Sequence, residues 1–65
     1  MKINNITDAE EFIDSLTDKR PAVAGMMLAK AIESLELGQM YYEQNDNERG
    51  IRRLAGCLRI LKDYQ

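Results

Sequence analysis

The sequence predicts an all-α protein in which a short N-terminal helix is followed by a long antiparallel helical hairpin. Apolar residues recur at intervals of three and four along most of the 65 residues, which is the spacing of one helix face. This pattern is interrupted at Pro21 and again at the polar run Asn45-Asp46-Asn47. We therefore expect a single domain over residues 1–65 with three helices, at about residues 8–18, 20–43 and 47–64.

The first helix is predicted from a capping pattern and an apolar stripe. Thr7 and Glu10 have the spacing of a capping box, in which each side chain accepts a hydrogen bond from the other residue's backbone N–H. Several acidic residues follow in the first turn, where the helix dipole favours negative charge. The apolar stripe consists of Ala9, Phe12, Ile13 and Leu16. So short a helix is stable only when its stripe packs on another part of the protein.

The second helix is predicted to begin near Pro21, because proline lacks an amide hydrogen and suits a first helical turn. Asp18 is the expected cap. The main seam alternates small with large side chains at intervals of four and three: Ala24, Leu28, Ala31, Leu35, Gly38 and Tyr42. Further apolar residues lie off this seam, at Met27, Ile32, Met40 and Tyr41. A helix that is apolar on more than one face usually has neighbours on two sides.

The third helix follows the turn Asn45-Asp46-Asn47, whose side chains bond to nearby backbone and cap the next helix. Its apolar stripe consists of Ile51, Leu54, Leu58 and Leu61, widened by Cys57, Ile60 and Tyr64. Because the turn is short, the second and third helices should pack antiparallel. Gly38, Gly50 and Cys57 are small residues at positions where they would let the two backbones approach closely.

Several residue types in these helices have a structural and a functional interpretation. Met26, Met27 and Met40 are expected in the core rather than in an adaptable binding groove. Cys57 is expected to be a small buried residue rather than a reactive thiol. Tyr41 and Tyr42 point about 100 degrees apart, so we expect one to pack between helices and the other to be partly exposed.

The hairpin resembles a single tetratricopeptide repeat over residues 31–64. The resemblance rests on residues in phase with that family's pattern: Leu37-Gly38, Tyr41-Tyr42, Asn45-Asp46, Gly50-Ile51, Cys57-Leu58 and Ile60. Because the family consists of binding scaffolds, the resemblance implies an interaction protein rather than an enzyme. The whole chain also looks like the small helical accessory proteins of bacteria and of temperate lambdoid phages.

A chain of this length predicts self-association, because so much of the surface of a small domain stays exposed. One cysteine cannot form an internal disulfide, and the absence of histidine disfavours a stabilising metal site. Self-association is the remaining common way to stabilise so small a domain. We therefore expect a homodimer in which the helices form a dimeric bundle. The expected contacts of the dimer or of another partner lie on the second helix: Met27, Leu28, Ile32, Leu35 and Tyr42.

Charge is distributed unevenly along the chain although the net charge is only -2. Residues 1–18 carry one basic and five acidic side chains, whereas residues 47–65 carry five basic and two acidic ones. An acidic first helix and a basic third helix would attract one another, within a chain or across a dimer. Surface pairs of this kind select register and partner more than they supply stability.

Four arginines, Arg49, Arg52, Arg53 and Arg59, lie at helical spacing on one side of the last helix. Guanidinium groups arranged in this way suit contacts with nucleic-acid phosphates. A solvated helix face is the simpler interpretation, because a nucleic-acid-binding domain is normally net basic and this chain is net acidic. A nucleic-acid-binding regulator is therefore the alternative function, behind protein binding.

Catalytic patterns are missing from the sequence. The chain has no histidine to act as a base, no glycine-rich phosphate loop and no nucleophile with a recognisable partner. We expect no enzymatic activity, no cofactor, no metal and no small-molecule substrate. The amino terminus lacks the apolar stretch of a signal peptide, and no run approaches the roughly 20 apolar residues of a membrane span.

These observations together predict a non-catalytic regulatory protein that binds a protein partner and acts as a homodimer. The partner's identity is not encoded in any motif of the sequence. We expect a cytoplasmic protein without membrane contact, located in the host cytoplasm if it is phage-encoded.

Overall fold

The computed structural model of the chain describes residues 2–65, and these residues form three α-helices. Helix α1 spans Ile6–Leu16, α2 spans Pro21–Gln44 and α3 spans Glu48–Tyr64. The predicted all-α fold is confirmed, with α2 and α3 forming a helical hairpin. The described chain measures 39 × 19 × 19 Å. Its long axis matches the length of about 36 Å expected for the 24 residues of α2.

The start of α1 is fixed by Asn5 rather than by the predicted capping box. The side-chain oxygen of Asn5 accepts a hydrogen bond of 2.8 Å from the backbone N–H of Asp8. The carboxylate of Asp8 in turn accepts a bond of 3.0 Å from the backbone N–H of Asn4. The prediction that Thr7 and Glu10 cap this helix is wrong, because an equivalent pair two residues earlier satisfies the free backbone donors. Both ends of α1 accordingly lie two residues before their predicted positions.

The start of α2 lacks a side-chain cap. Pro21 occupies the first helical position, and Arg20 is the N-cap residue without a side-chain hydrogen bond. The prediction that Asp18 caps this helix is wrong, because its carboxylate lies 3.3 Å from Nζ of Lys19 instead. Proline suits the position because its fixed φ is helical and it has no N–H to satisfy.

The turn between α2 and α3 is closed by asparagine, as predicted. The side-chain oxygen of Asn47 accepts a hydrogen bond of 3.0 Å from the backbone N–H of Gly50. The backbone N–H of Asn47 donates to the carbonyl of Tyr42 at 2.9 Å, which satisfies one of the last carbonyls of α2. Asp46 between the helices has φ of 53°, a left-handed conformation that aspartate tolerates.

Helices α2 and α3 approach closely at Gly38 and Gly50, which confirms the sequence prediction for these two residues. A Cβ atom added to Gly50 would lie 2.7 Å from the ring of Tyr42. A Cβ atom added to Gly38 would lie 3.1 Å from Cδ1 of Leu54. Cys57 of α3, the third small residue of that prediction, is completely buried. Larger side chains at these positions would force the two helices apart.

Helix α3 is the central helix of the fold. It packs against both α2 and α1, whereas α1 and α2 contact each other only weakly. Gly56 provides the space for α1, because a Cβ atom there would lie 3.3 Å from Cδ1 of Ile6. At the C-terminal ends of these two helices, Leu16 of α1 and Tyr64 of α3 line one common cleft. Helix α1 therefore runs beside the C-terminal half of α3 in the same direction.

The acidic α1 thus lies beside the basic α3, but apolar packing holds them together. Among residues 2–65, none of the ion pairs joins these two helices. Lys62 of α3 lies 3.2 Å from Glu36 of α2, and Arg52 lies 3.4 Å from Glu48 within α3. Both pairs are solvent-exposed, where such contacts contribute at most about 1 kcal/mol.

The core draws on all three helices and on the segment before α1. Its buried residues are Ile3, Ala9, Phe12, Leu16, Leu28, Ile32, Leu35, Leu54, Cys57, Leu58 and Leu61. Within residues 2–65, no polar or charged side chain is buried. Ile32, predicted to lie off the seam, belongs to this core. The prediction that Met26 and Met40 belong to the core is wrong, because α3 covers only one side of α2 and leaves both methionines exposed.

Helix α2 is long, but its sequence is not apolar throughout. Charged side chains interrupt its middle at Lys30, Glu33 and Glu36. Among residues 2–65, no helix is both long enough and apolar enough to span a bilayer.

Replacement of Gly50 by alanine should destabilise the fold, because the new methyl group would lie 2.7 Å from the ring of Tyr42. Overpacking costs about 1–3 kcal/mol, which outweighs the gain of up to about 1 kcal/mol from the helix propensity of alanine. Thermal denaturation followed by circular dichroism should show a lower Tm. The matched control is Gly25→Ala, at a helical glycine with nothing within 4 Å of the added Cβ, and its Tm should rise. An unchanged Tm for Gly50→Ala would contradict the close contact.

Replacement of Asn5 by alanine should cost about 1 kcal/mol, because it removes the side-chain acceptor that caps α1. Thr7→Ala is the matched control, and it should leave the free energy of unfolding within about 0.5 kcal/mol of the wild type. Urea denaturation measures both values. A larger loss for Thr7→Ala than for Asn5→Ala would mean that the helix begins at the later position.

Candidate interaction surfaces

Large apolar side chains are exposed mainly on one side of α2. Of the seven such residues in the described part of the chain, five lie on this helix: Val23, Met26, Leu37, Met40 and Tyr41. They are between 43% and 66% exposed. The other two, Ile6 and Tyr64, lie on α1 and α3. An apolar surface of this kind is typical of a site that another molecule covers.

Four of these residues belong to a regular series that we call the outer seam of α2. The outer seam consists of Val23, Met26, Lys30, Glu33, Leu37 and Met40, at intervals of three and four residues, and all six are exposed. The seam that packs on α3, from Ala24 to Tyr42, has the same heptad type of spacing on the opposite side. Helix α2 therefore carries two seams, and within residues 2–65 only the inner one is covered.

The residues expected at a dimer interface lie mostly inside the single chain. Leu28, Ile32 and Leu35 are 4%, 9% and 6% exposed, respectively. Met27 and Tyr42 are half-buried and pack against the same core. A dimer that used these five side chains would have to open the hairpin and lose its core contacts. The homodimer stays a prediction, and its surface on α2 would have to be formed by other, exposed residues.

Tyr42 and Tyr41 occupy different environments, as their adjacent helix positions predict. The ring of Tyr42 covers Gly50, and its hydroxyl accepts a hydrogen bond of 3.2 Å from Nη2 of Arg53. The guanidinium carbon of Arg53 also lies 5.9 Å from the centroid of this ring, within cation–π range. Tyr41 contacts the ring of Tyr42 edge-on, with centroids 5.9 Å apart, and is otherwise exposed.

An open groove of about 520 Å³ lies between the N-terminal segment and the hairpin. Lys2 and Ile3 line one side, and Tyr41 of α2 and Arg53 of α3 line the other. Sequence reasoning missed this groove because it assigned no structural role to Ile3, which is buried. The available signal was a single apolar residue in a polar segment before the first helix.

The arginine side of α3 is exposed, as the alternative function requires. The four residues Arg49, Arg52, Arg53 and Arg59 are all solvent-accessible. Two of them are engaged within the chain, Arg52 with Glu48 and Arg53 with Tyr42. Arg49 and Arg59 lie about 15 Å apart along the helix axis. These contacts favour the interpretation of a solvated helix face.

Cys57 is a buried structural residue. Its side chain has no exposed surface, and it is not part of a disulfide. Burial raises the pKa of the Cys57 thiol, and the positive charge of Arg53 offsets this effect only in part. A thiol that stays protonated and inaccessible is a poor nucleophile.

Comparison with protein families, with characterised proteins and with solved structures gives no match to this chain. The resemblance to a tetratricopeptide repeat over residues 31–64 therefore stays a prediction based on residue pattern. The likeness to lambdoid phage accessory proteins does so as well. Among residues 2–65, no three histidine, cysteine, aspartate or glutamate side chains form a group that could hold a metal ion.

The buried thiol of Cys57 should give the protein a measurable loss of stability at alkaline pH. Its pKa is raised on folding, so the unfolded chain loses the proton first, at a pKa near 9.0. The stabilising contribution is complete below that pH and is lost as the pH rises through the folded-state pKa. Urea midpoints measured from neutral pH to above about pH 9 should therefore fall more for the wild type than for Cys57→Ala. Equal declines would show that the thiol does not contribute.

Proposed function

We propose that this chain is a non-catalytic regulatory protein that acts by protein–protein binding as a homodimer, as an accessory factor of bacterial or phage type. The observation that supports this proposal is the exposed apolar side of α2. Five large apolar side chains are held there in contact with solvent. Their burial against another protein would be favourable, at about 25 cal/mol per Å² of apolar surface.

The shape of the chain also supports self-association. It exposes 4868 Å² of surface, compared with about 4,250 Å² for a compact monomer of 7.5 kDa. The excess reflects the elongated hairpin, in which α2 is covered on one side only. A symmetric dimer would cover the same patch on both copies.

The alternative function is a nucleic-acid-binding regulator that uses Arg49, Arg52, Arg53 and Arg59 on phosphates. The exposure of all four side chains favours it. Two observations weigh against it. Glu48 and Tyr42 already engage two of the arginines, and the acidic α1 lies directly beside α3.

Binding experiments with two variants distinguish these functions. In the first variant, Leu37→Ser and Met40→Ser remove exposed apolar side chains without touching the core. In the second, the four arginines are replaced by glutamine. Pull-down from bacterial lysate at moderate salt should recover a protein partner with the wild type and with the arginine variant. The Leu37/Met40 variant should lose most of that recovery, because it removes side chains that the homodimer would bury and the homodimer is the form proposed to bind the partner.

The control for this experiment is Tyr64→Ser, which removes an exposed apolar residue outside α2 and should leave recovery unchanged. Binding to a nucleic-acid probe that survives the α2 changes but is lost with the arginines, and that weakens steeply with salt, would establish the nucleic-acid alternative instead.

A further inference from the structure

The outer seam of α2 has the same pattern of apolar and charged residues in both chain directions. Its order is two apolar residues, two charged residues and two apolar residues: Val23, Met26, Lys30, Glu33, Leu37 and Met40. The intervals between them run three, four, three, four and three, so the spacing is also symmetric. The two central charges have opposite signs. When a second copy of the helix lies antiparallel to the first, apolar residues therefore face apolar residues and the two central charges face charges of opposite sign.

We propose that two copies of this chain pair along their outer seams as an antiparallel helix pair. In this arrangement Val23 of one copy faces Met40 of the other, and Met26 faces Leu37. At the centre Lys30 of each copy faces Glu33 of the other. A two-fold axis makes every one of these contacts occur twice. This inference rests on the proposed homodimer and adds its surface, its orientation and its register.

Charge excludes the parallel arrangement of the same two seams. Parallel helices in register would bring Lys30 against Lys30 and Glu33 against Glu33, at the centre of the interface. Like charges placed together in this way are strongly unfavourable. The antiparallel arrangement converts the same four side chains into two oppositely charged pairs.

Shifted antiparallel registers are excluded by polarity. A shift of one heptad in one direction places Val23 against Glu33 and Met26 against Lys30. A shift in the other direction places Lys30 against Met40. Each of these registers buries a charge against an apolar side chain, which is unfavourable without a polar partner. Only the centred register pairs apolar with apolar residues and opposite charges with each other.

The flank of the seam accommodates close approach. Ala22 and Ala29 lie next to the outer seam and are exposed, and their small side chains allow the helix axes to approach. In the centred register Ala29 lies opposite Glu36 of the other copy, and Ala22 lies opposite Glu43. No two acidic residues of this flank face one another.

Single and double charge changes test the central pairs. The wild type should sediment at equilibrium as a species of about twice 7.5 kDa at micromolar concentration. Lys30→Glu alone and Glu33→Lys alone each create two like-charge contacts, and each should raise the dimer Kd by at least about tenfold. The combined variant Lys30→Glu/Glu33→Lys restores opposite charges and should recover the wild-type Kd. Both positions are exposed, so circular dichroism of the variants should stay helical.

The control is Glu11→Lys, an exposed charge reversal on α1 that should leave the dimer Kd unchanged. A dimeric wild type whose Kd is insensitive to Lys30 and Glu33 would overturn this interface but leave the proposed homodimer intact. A wild type that stays monomeric at these concentrations would overturn both. A double variant as weak as the single ones would also overturn the interface.

Cross-linking tests the orientation directly. One chain carries Met26→Cys and a second chain carries Leu37→Cys, and the two are mixed and treated with oxidised glutathione. The mixture should form a disulfide-linked dimer of one chain of each kind, whereas either variant alone should not. The wild type is the control, because its single cysteine, Cys57, is buried. Self-linking of Met26→Cys alone would show parallel pairing and overturn the proposal.

Discussion

The packing of the Tyr42 ring against Gly50, which leaves no room for a Cβ atom, is the constraint on which the hairpin depends. Tyr42 lies in the last turn of α2 and Gly50 in the first turn of α3, so this contact sets the distance at which the two helices meet. The same glycine donates its N–H to Asn47. The start of α3 and its closest approach to α2 are therefore fixed at one residue. Gly38 continues this close approach along the seam, and α3 is thereby positioned to receive α1 on its other side.

The parts of the fold that were predictable from the sequence depend on short-range spacing and side-chain size. The hairpin and the cap at Asn47 are of this kind. The start of α1 was not predictable in the same way, because the capping patterns at Thr7 and at Asn5 have equal spacing. Spacing alone does not rank the two caps, although asparagine is the better N-cap residue. The earlier start places Ile6 against Gly56, a tertiary contact that no pattern within α1 contains.

The two faces of α2 show that periodicity alone does not locate an interaction surface. Both seams have heptad spacing, so spacing alone does not distinguish the one that packs on α3 from the one left exposed. Leu28 and Leu35 were therefore expected at an interface and lie in the core, while Met26 was expected in the core and lies in solvent. Helix α1 packs mainly on α3, so the outer side of α2 stays uncovered. The candidate surface becomes visible only once that arrangement is known.

Charged residues in the middle of an apolar seam determine the relative orientation of two paired helices more than they strengthen their binding. Four apolar positions alone would allow parallel and antiparallel pairing alike, whereas Lys30 and Glu33 make only one of them favourable. Polar groups at such positions reduce the stability of a helix pair while they specify its geometry. On the proposed arrangement, the interface would therefore have four apolar pairs and two central ion pairs. Such a dimer would form and dissociate as the protein concentration changes. This behaviour suits the regulatory role proposed for the chain better than a permanent structural role.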